Sequence, residues 1–100
     1  MTNIADDSIR LDQLADVVKA LAHPLRLGIV ASLCEGSARV GALVERLGAR
    51  QTTVSQQLRI LRMSGLVAVA RQRGGAVYSL SEPRLRDLVA CLSGCREGAR

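Results

Sequence analysis

Four side chains of the stretch "TTVSQQLRILRM" carry hydrogen-bonding chemistry at helical spacing: Thr52, Ser55, Gln56 and Arg59. Wound as a helix, they share one face, because residues three and four apart lie above one another. Val54, Leu58 and Leu61 fall on the opposite face and form the apolar stripe that seats such a helix. The polar face holds donors and acceptors and no acid, which suits an anionic, polar partner. Catalysis has little to work with elsewhere. The chain has a single histidine, His23, no nucleophile beside a base and no paired carboxylates in an apolar setting, so no enzyme is expected.

A second chemistry resides in three cysteines, Cys34, Cys91 and Cys95. An odd set argues against a disulfide framework. Cys34 shares the apolar side of its segment with Leu27, Val30 and Ala31, where a thiol packs as a small hydrophobe. Cys91 and Cys95 stand one turn apart, unless Ser93-Gly94 ends the helix before Cys95. Three thiols would suit a soft, thiol-seeking metalloid such as arsenite. Zinc fits worse, since a structural site wants four closed ligands, and neither a resident metal nor a cofactor is expected. His23, directly before Pro24, is placed to cap a helix.

One hundred residues with 48% apolar side chains make one folded domain, 1–100, in which residues 1–7 and 96–100 are expected to be flexible ends. The polar, acidic opening "MTNIADDSIR" lacks the apolar core of a secretory signal, and no apolar run approaches a membrane span, so a cytoplasmic location is expected. The net charge of +5 is unevenly spread. Residues 1–35 carry three bases against five acids, a net −2, whereas residues 36–80 carry seven arginines against Glu45, a net +6. That block is the electrostatic footprint of a phosphate-binding surface. Tyr78 is the only aromatic residue, so no stacking platform for single-stranded nucleic acid or RNA can be built. Duplex DNA, read by a helix in the major groove, is the partner that remains.

Four helices precede a β-hairpin. Leu11, Leu14, Val17, Val18 and Leu21 keep helical spacing over residues 8–21. Pro24 opens a second helix that Gly36 can stop, "ARVGALVERLG" makes a short third ended by Gly48, and Gly65 closes the fourth. Helix, tight turn and polar-faced second helix form a helix-turn-helix. Two β-rich runs come next, Leu66 to Arg71 and Ala76 to Leu80, around Gln72-Arg73-Gly74-Gly75, where glycine supplies positive φ. A hairpin tipped with arginines beside such a helix is a wing. Ser81 is the expected N-cap of a last helix carrying Leu85, Leu88, Val89 and Leu92. The expected fold is mainly α with a β-hairpin wing, in the order ααααββα. The candidate DNA contacts are Gln51, Thr52, Thr53, Ser55, Gln56 and Arg59 on the fourth helix and Arg71, Gln72 and Arg73 on the wing.

With that order in place, three blocks resemble the ArsR/SmtB family of winged-helix repressors over about residues 12–92. "KALAHPLRLGIVASLCEG" is similar to the family's second-helix segment, "LVERLGARQTTVSQQLRILRMSGLV" to its helix-turn-helix and "GGAVYSL" to its wing. The resemblance implies a homodimer built mainly on the first and last helices, repressing an operon at an inverted-repeat operator until a small inorganic or redox effector binds. Many members carry a Cys-x-Cys pair at the start of the third helix, where this chain has Arg39 and Gly41. Others hold zinc between last helices with His and acidic ligands, and His23 lies far from there. "VSQQL" and the missing third-helix cysteines resemble the sulfide- and redox-responsive branch, whose paired cysteines lie on the second and last helices. The resemblance to that branch implies effector sensing through Cys34, Cys91 and Cys95. The branch's first thiol would fall nearer Ala31, one turn before Cys34, so the pairing stays open. An arsenite- or antimonite-responsive repressor using all three cysteines is one alternative. A winged-helix module that binds proteins instead of DNA is another, and it predicts apolar residues exposed on the fourth helix.

Overall fold

His23 and Pro24 start the helix at the centre of the fold. His23 takes extended backbone (φ −151°, ψ 127°), and its Nδ1 accepts a hydrogen bond from the Leu25 N–H at 3.2 Å. The expected cap is therefore present, with proline beside it where its missing N–H costs nothing. The computed structural model describes residues 8–98, with the side chains of Ile9 and of residues 95–98 outside that description. Its elements are α1 (Ser8–Leu21), α2 (Pro24–Leu33), α3 (Val40–Leu47), α4 (Gln51–Met63), β1 (Val67–Gln72), β2 (Gly75–Leu80) and α5 (Leu85–Gly98), the order read from the sequence.

The core forms where α2, α3 and α4 meet. Ile29, Val30 and Leu33 of α2, Leu43 of α3, and Val54, Leu58 and Leu61 of α4 are all but inaccessible to solvent. Each such aliphatic side chain contributes about 1.5–3 kcal/mol on burial, which makes this cluster the chief support of the fold. Gly48 ends α3 in the left-handed region (φ 62°), and α4 begins three residues later. At the far end of α4, Gly65 (φ 78°) donates to the Arg62 carbonyl and Leu66 donates back to Leu61, both at 3.0 Å. This paired arrangement is a Schellman turn, and it swings the chain from α4 into β1 while Leu66 and Val67 enter the core.

Four boundaries differ from the sequence expectation. The strands run Val67–Gln72 and Gly75–Leu80, so the turn has two residues, Arg73 and Gly74, because Gly75 can still pair with Gln72. Ala38 and Arg39 stay out of α3: Ala38 exchanges main-chain hydrogen bonds with Tyr78 at 2.9 and 2.8 Å, attaching β2 to the segment before α3. Ser81 does not cap α5, because a turn intervenes and the helix begins only at Leu85; its N–H donates to the Leu66 carbonyl at the base of the hairpin. In that turn the Glu82 carboxylate accepts from the side chain and main-chain N–H of Arg84, which hold it down at about 2. Finally, Ser93-Gly94 does not end α5, which keeps helical backbone through Gly98.

Leu58→Ala should lower unfolding free energy by about 2–5 kcal/mol, the range for a buried leucine. His23→Ala should lower it by about 1 kcal/mol through the lost cap, and Gln56→Ala by less than about 0.5 kcal/mol. Urea denaturation followed by circular dichroism checks this ranking.

Candidate nucleic-acid interface

The buried stripe of α4 sets which of its residues face outward. Gln51, Thr52, Ser55, Gln56 and Arg59 are exposed, while Thr53 is half-buried and Gln57 turns toward α2, where its Oε1 accepts from Arg26 at 3.4 Å. The expected polar face is thus brought together, with Thr53 at its margin. Arg50, the residue preceding α4, makes no side-chain cap to the first N–H groups of the helix. A helix N-terminus with free N–H groups favours anions such as phosphate.

The wing carries Arg71, Gln72 and Arg73 to its exposed tip. Gln72 ends β1 and pairs with Gly75 instead of belonging to the turn. Arg50, Arg59 and Arg62 are exposed along the same basic part of the chain. Arg46 is engaged with Glu35 in an exposed ion pair. One contact at the wing was not legible from the sequence: the Arg39 Nη2 donates to the Arg73 carbonyl at 2.9 Å. The sequence signal, an arginine just before a short helix, carries no hint of a partner 34 residues away.

The cysteines occupy different settings. Cys34 is the C-cap of α2 and packs half-buried against the core. Burial pushes its thiol up; the nearby Arg86 guanidinium acts in the opposite sense and Glu35 adds to the rise. Arg86 also donates to the Cys34 carbonyl at 3.0 Å, tying α5 to the end of α2. Cys91 is an exposed free thiol on α5, and Leu27, expected beside Cys34 on an apolar side, is itself 37% exposed. Cys95 lies on α5 with its side chain outside the described residues. Among the described residues, no three His, Cys, Asp or Glu side chains gather as a metal site.

A helix-turn-helix with an acid-free outer face, followed by an arginine-tipped hairpin, defines a winged-helix regulator. The family model described as "Bacterial regulatory protein, arsR family" matches residues 23–69. A biofilm growth-associated repressor of Xylella fastidiosa is 41% identical over 83 residues, spanning 83% of this chain and 73% of that protein. The chain belongs to the arsR family of bacterial regulatory proteins. Its fold is similar to the crystal structure of the transcriptional repressor BigR from Xylella fastidiosa, with a TM-score of 0.86, 37% identity and coverage of 94% of this chain and 96% of that one. It is also similar to the solution structure of the homodimeric winged helix-turn-helix DNA-binding domain Mb0332 from Mycobacterium bovis (TM-score 0.76, 33% identity, 87% and 81% coverage).

Because burial pushes the Cys34 thiol up and half-covers it while Cys91 is exposed, Cys91 should react first with iodoacetamide at mildly alkaline pH. Timed alkylation of a Cys95→Ser variant, followed by peptide mass mapping, checks the order; faster labelling of Cys34 would contradict it.

Proposed function

We propose that the chain is a homodimeric transcriptional repressor that binds duplex DNA through α4 and the wing and leaves it when its thiols react. The observation that carries the DNA reading is the exposed, acid-free face of α4, held outward by three fully buried residues and followed in the chain by the exposed wing arginines Arg71 and Arg73. Seated in the major groove, Gln56 and Arg59 have the amide and guanidinium groups that make bidentate contacts to adenine and guanine. Wing arginines and the N-terminus of α4 are suited to phosphates, which fix position without reading sequence.

Dimerisation has its own support. Leu11 and Leu14, each 41% exposed, and Val18, 60% exposed, line one side of α1, and Leu92 on α5 is 51% exposed. Such a stripe on an isolated protomer marks an interaction surface. The homodimeric M. bovis relative supports a second copy as its occupant. Exposed Ile60 and Met63 on α4 are what the protein-binding alternative predicts, and both line a groove with Gln13, Asp16 and Val17 of α1. Met63, one turn after Arg59, also borders the polar face beside Arg59 and Arg62. The N-terminal turns of that face hold only polar and basic side chains outward. Two-fold symmetry then calls for an inverted repeat with half-sites about 34–36 Å apart.

For the switch, Cys34 sits where Arg86 pins α5 to α2, and Cys91 is open to reagents on α5. A disulfide, a sulfur bridge or a shared arsenic joining Cys34 to Cys91 or Cys95 would alter how α5 docks and hence how far apart the two α4 helices lie. A coupling of about 1–3 kcal/mol is enough for release.

Neutralising about six phosphates should make log K fall with log salt at a slope near −5. Gln56→Ala or Arg59→Ala should cost on the order of 1–3 kcal/mol on a selected site and far less on random duplex, whereas Arg73→Ala should weaken both alike. A flat salt response, or the two mutant effects exchanged, overturns the assignment. Cys34→Ser and the Cys91/Cys95 double Ser variant should bind DNA yet resist release by persulfide, peroxide or arsenite. A triple Ser variant released like wild type would sink the thiol reading alone.

A further inference from the structure

We propose that Arg39 is a positioning residue for the wing, holding Arg71, Gln72 and Arg73 at a fixed distance from α4 through its bond to the Arg73 carbonyl. This rests on the DNA-binding reading and adds a residue to it. Arg39 lies at the start of α3 with extended backbone (φ −90°, ψ 161°), and its side chain reaches the wing tip, where Nη2 donates at 2.9 Å. The rest of the guanidinium lies against the turn. From the point where a β-carbon on Gly74 would sit, three guanidinium atoms are nearly equidistant, at 3.7, 3.8 and 3.8 Å, so the plane faces that residue. From the same point on Gly75 the nearest nitrogen is 3.5 Å away.

The wing needs such a brace. A two-stranded ribbon is marginally stable in water. Its main-chain attachment to the body, the Ala38–Tyr78 pair, lies at the row of Val69 and Tyr78, three rows short of Gln72 and Gly75. Arg39 follows Ala38 directly and fastens the tip beyond that row. The segment 38–39 therefore holds the wing at two heights, and both attachments lead into α3, which packs on α4. Fixing the tip before DNA arrives removes ordering entropy from the binding step. An exposed arginine in a basic block otherwise reads as a phosphate contact; here Nη2 is already committed to the protein's own carbonyl.

The two roles separate in a mutant cycle. Titrations use a duplex selected by wild-type protein from a random pool, and amide hydrogen exchange by NMR follows residues 71–76 without DNA. Arg39→Ala should speed exchange at the tip by about ten-fold or more while leaving α4 unchanged, and should weaken duplex binding by about ten-fold, the scale of a charge-assisted hydrogen bond. Arg39→Lys should restore most of both, since its ammonium retains a donor on a stem of similar reach. In a wing already carrying Arg71→Ala and Arg73→Ala, Arg39→Ala should add less than about two-fold, because coupled residues are not additive. A full ten-fold addition would make Arg39 a DNA contact in its own right and overturn the proposal. Unchanged tip exchange, or Arg39→Ala binding as well as wild type, would overturn it equally. A wild-type protein that selects no duplex overturns the DNA reading and this role with it, a result distinct from any failure seen in Arg39 variants alone.

Discussion

The angle of α4 about its own axis is the constraint on which the rest of the functional surface depends. A helix turns 100° per residue, so a slip of one position would carry Arg59 and Gln56 off the outward face and bring an apolar residue in their place. Val54, Leu58 and Leu61, all without solvent exposure, block that slip by interlocking with Ile29, Val30 and Leu33 of α2 and Leu43 of α3. Interiors packed at this density have discrete arrangements, not a continuum of them. The polar residues of α4 owe their direction to the apolar ones.

The same seating governs the wing. Leu66 and Val67 are buried at the end of the Schellman turn, so β1 leaves α4 in a direction set by the core. β2 is then held from the other side by Ala38. Charge obeys the same division. The acids of residues 1–35 fall mainly on α1 and near the N-terminus, whereas the arginines cluster on α3, α4 and the hairpin. A charge distribution polarised in this way orients an approaching polyanion before contact.

Local signals account for what could be read from the sequence. The i, i+4, i+7 stripe of α4, proline beside His23, and glycines at 48 and 65 each act within one turn of chain, and each element they mark is present. The polar face of α4 was legible for the same reason, because helical geometry alone maps spacing onto a face. Long-range choices were not legible. Ala38 and Arg39 continue a helix-like pattern but are claimed by Tyr78 and Arg73, 40 and 34 positions along the chain by number. Ser81 has the composition of a cap, yet it stays with the hairpin, donating to the Leu66 carbonyl 15 positions back, while the helix waits until Leu85. Which arginine braces the hairpin and which faces outward depends on tertiary placement, to which composition is blind.

The two end helices hold to the body unevenly. On α1 only Ala20 and Leu21, at its last turn, are buried, and on α5 only Leu85, at its first residue, is buried among the described side chains. Their remaining turns therefore depend on few contacts, and fraying should start there and run inward, while the α2–α4 core keeps its packing. If a second copy covers these turns, folding and association become one equilibrium, and the midpoint of thermal unfolding rises with protein concentration. The amount of the protein present would then help decide how much of it is fully ordered.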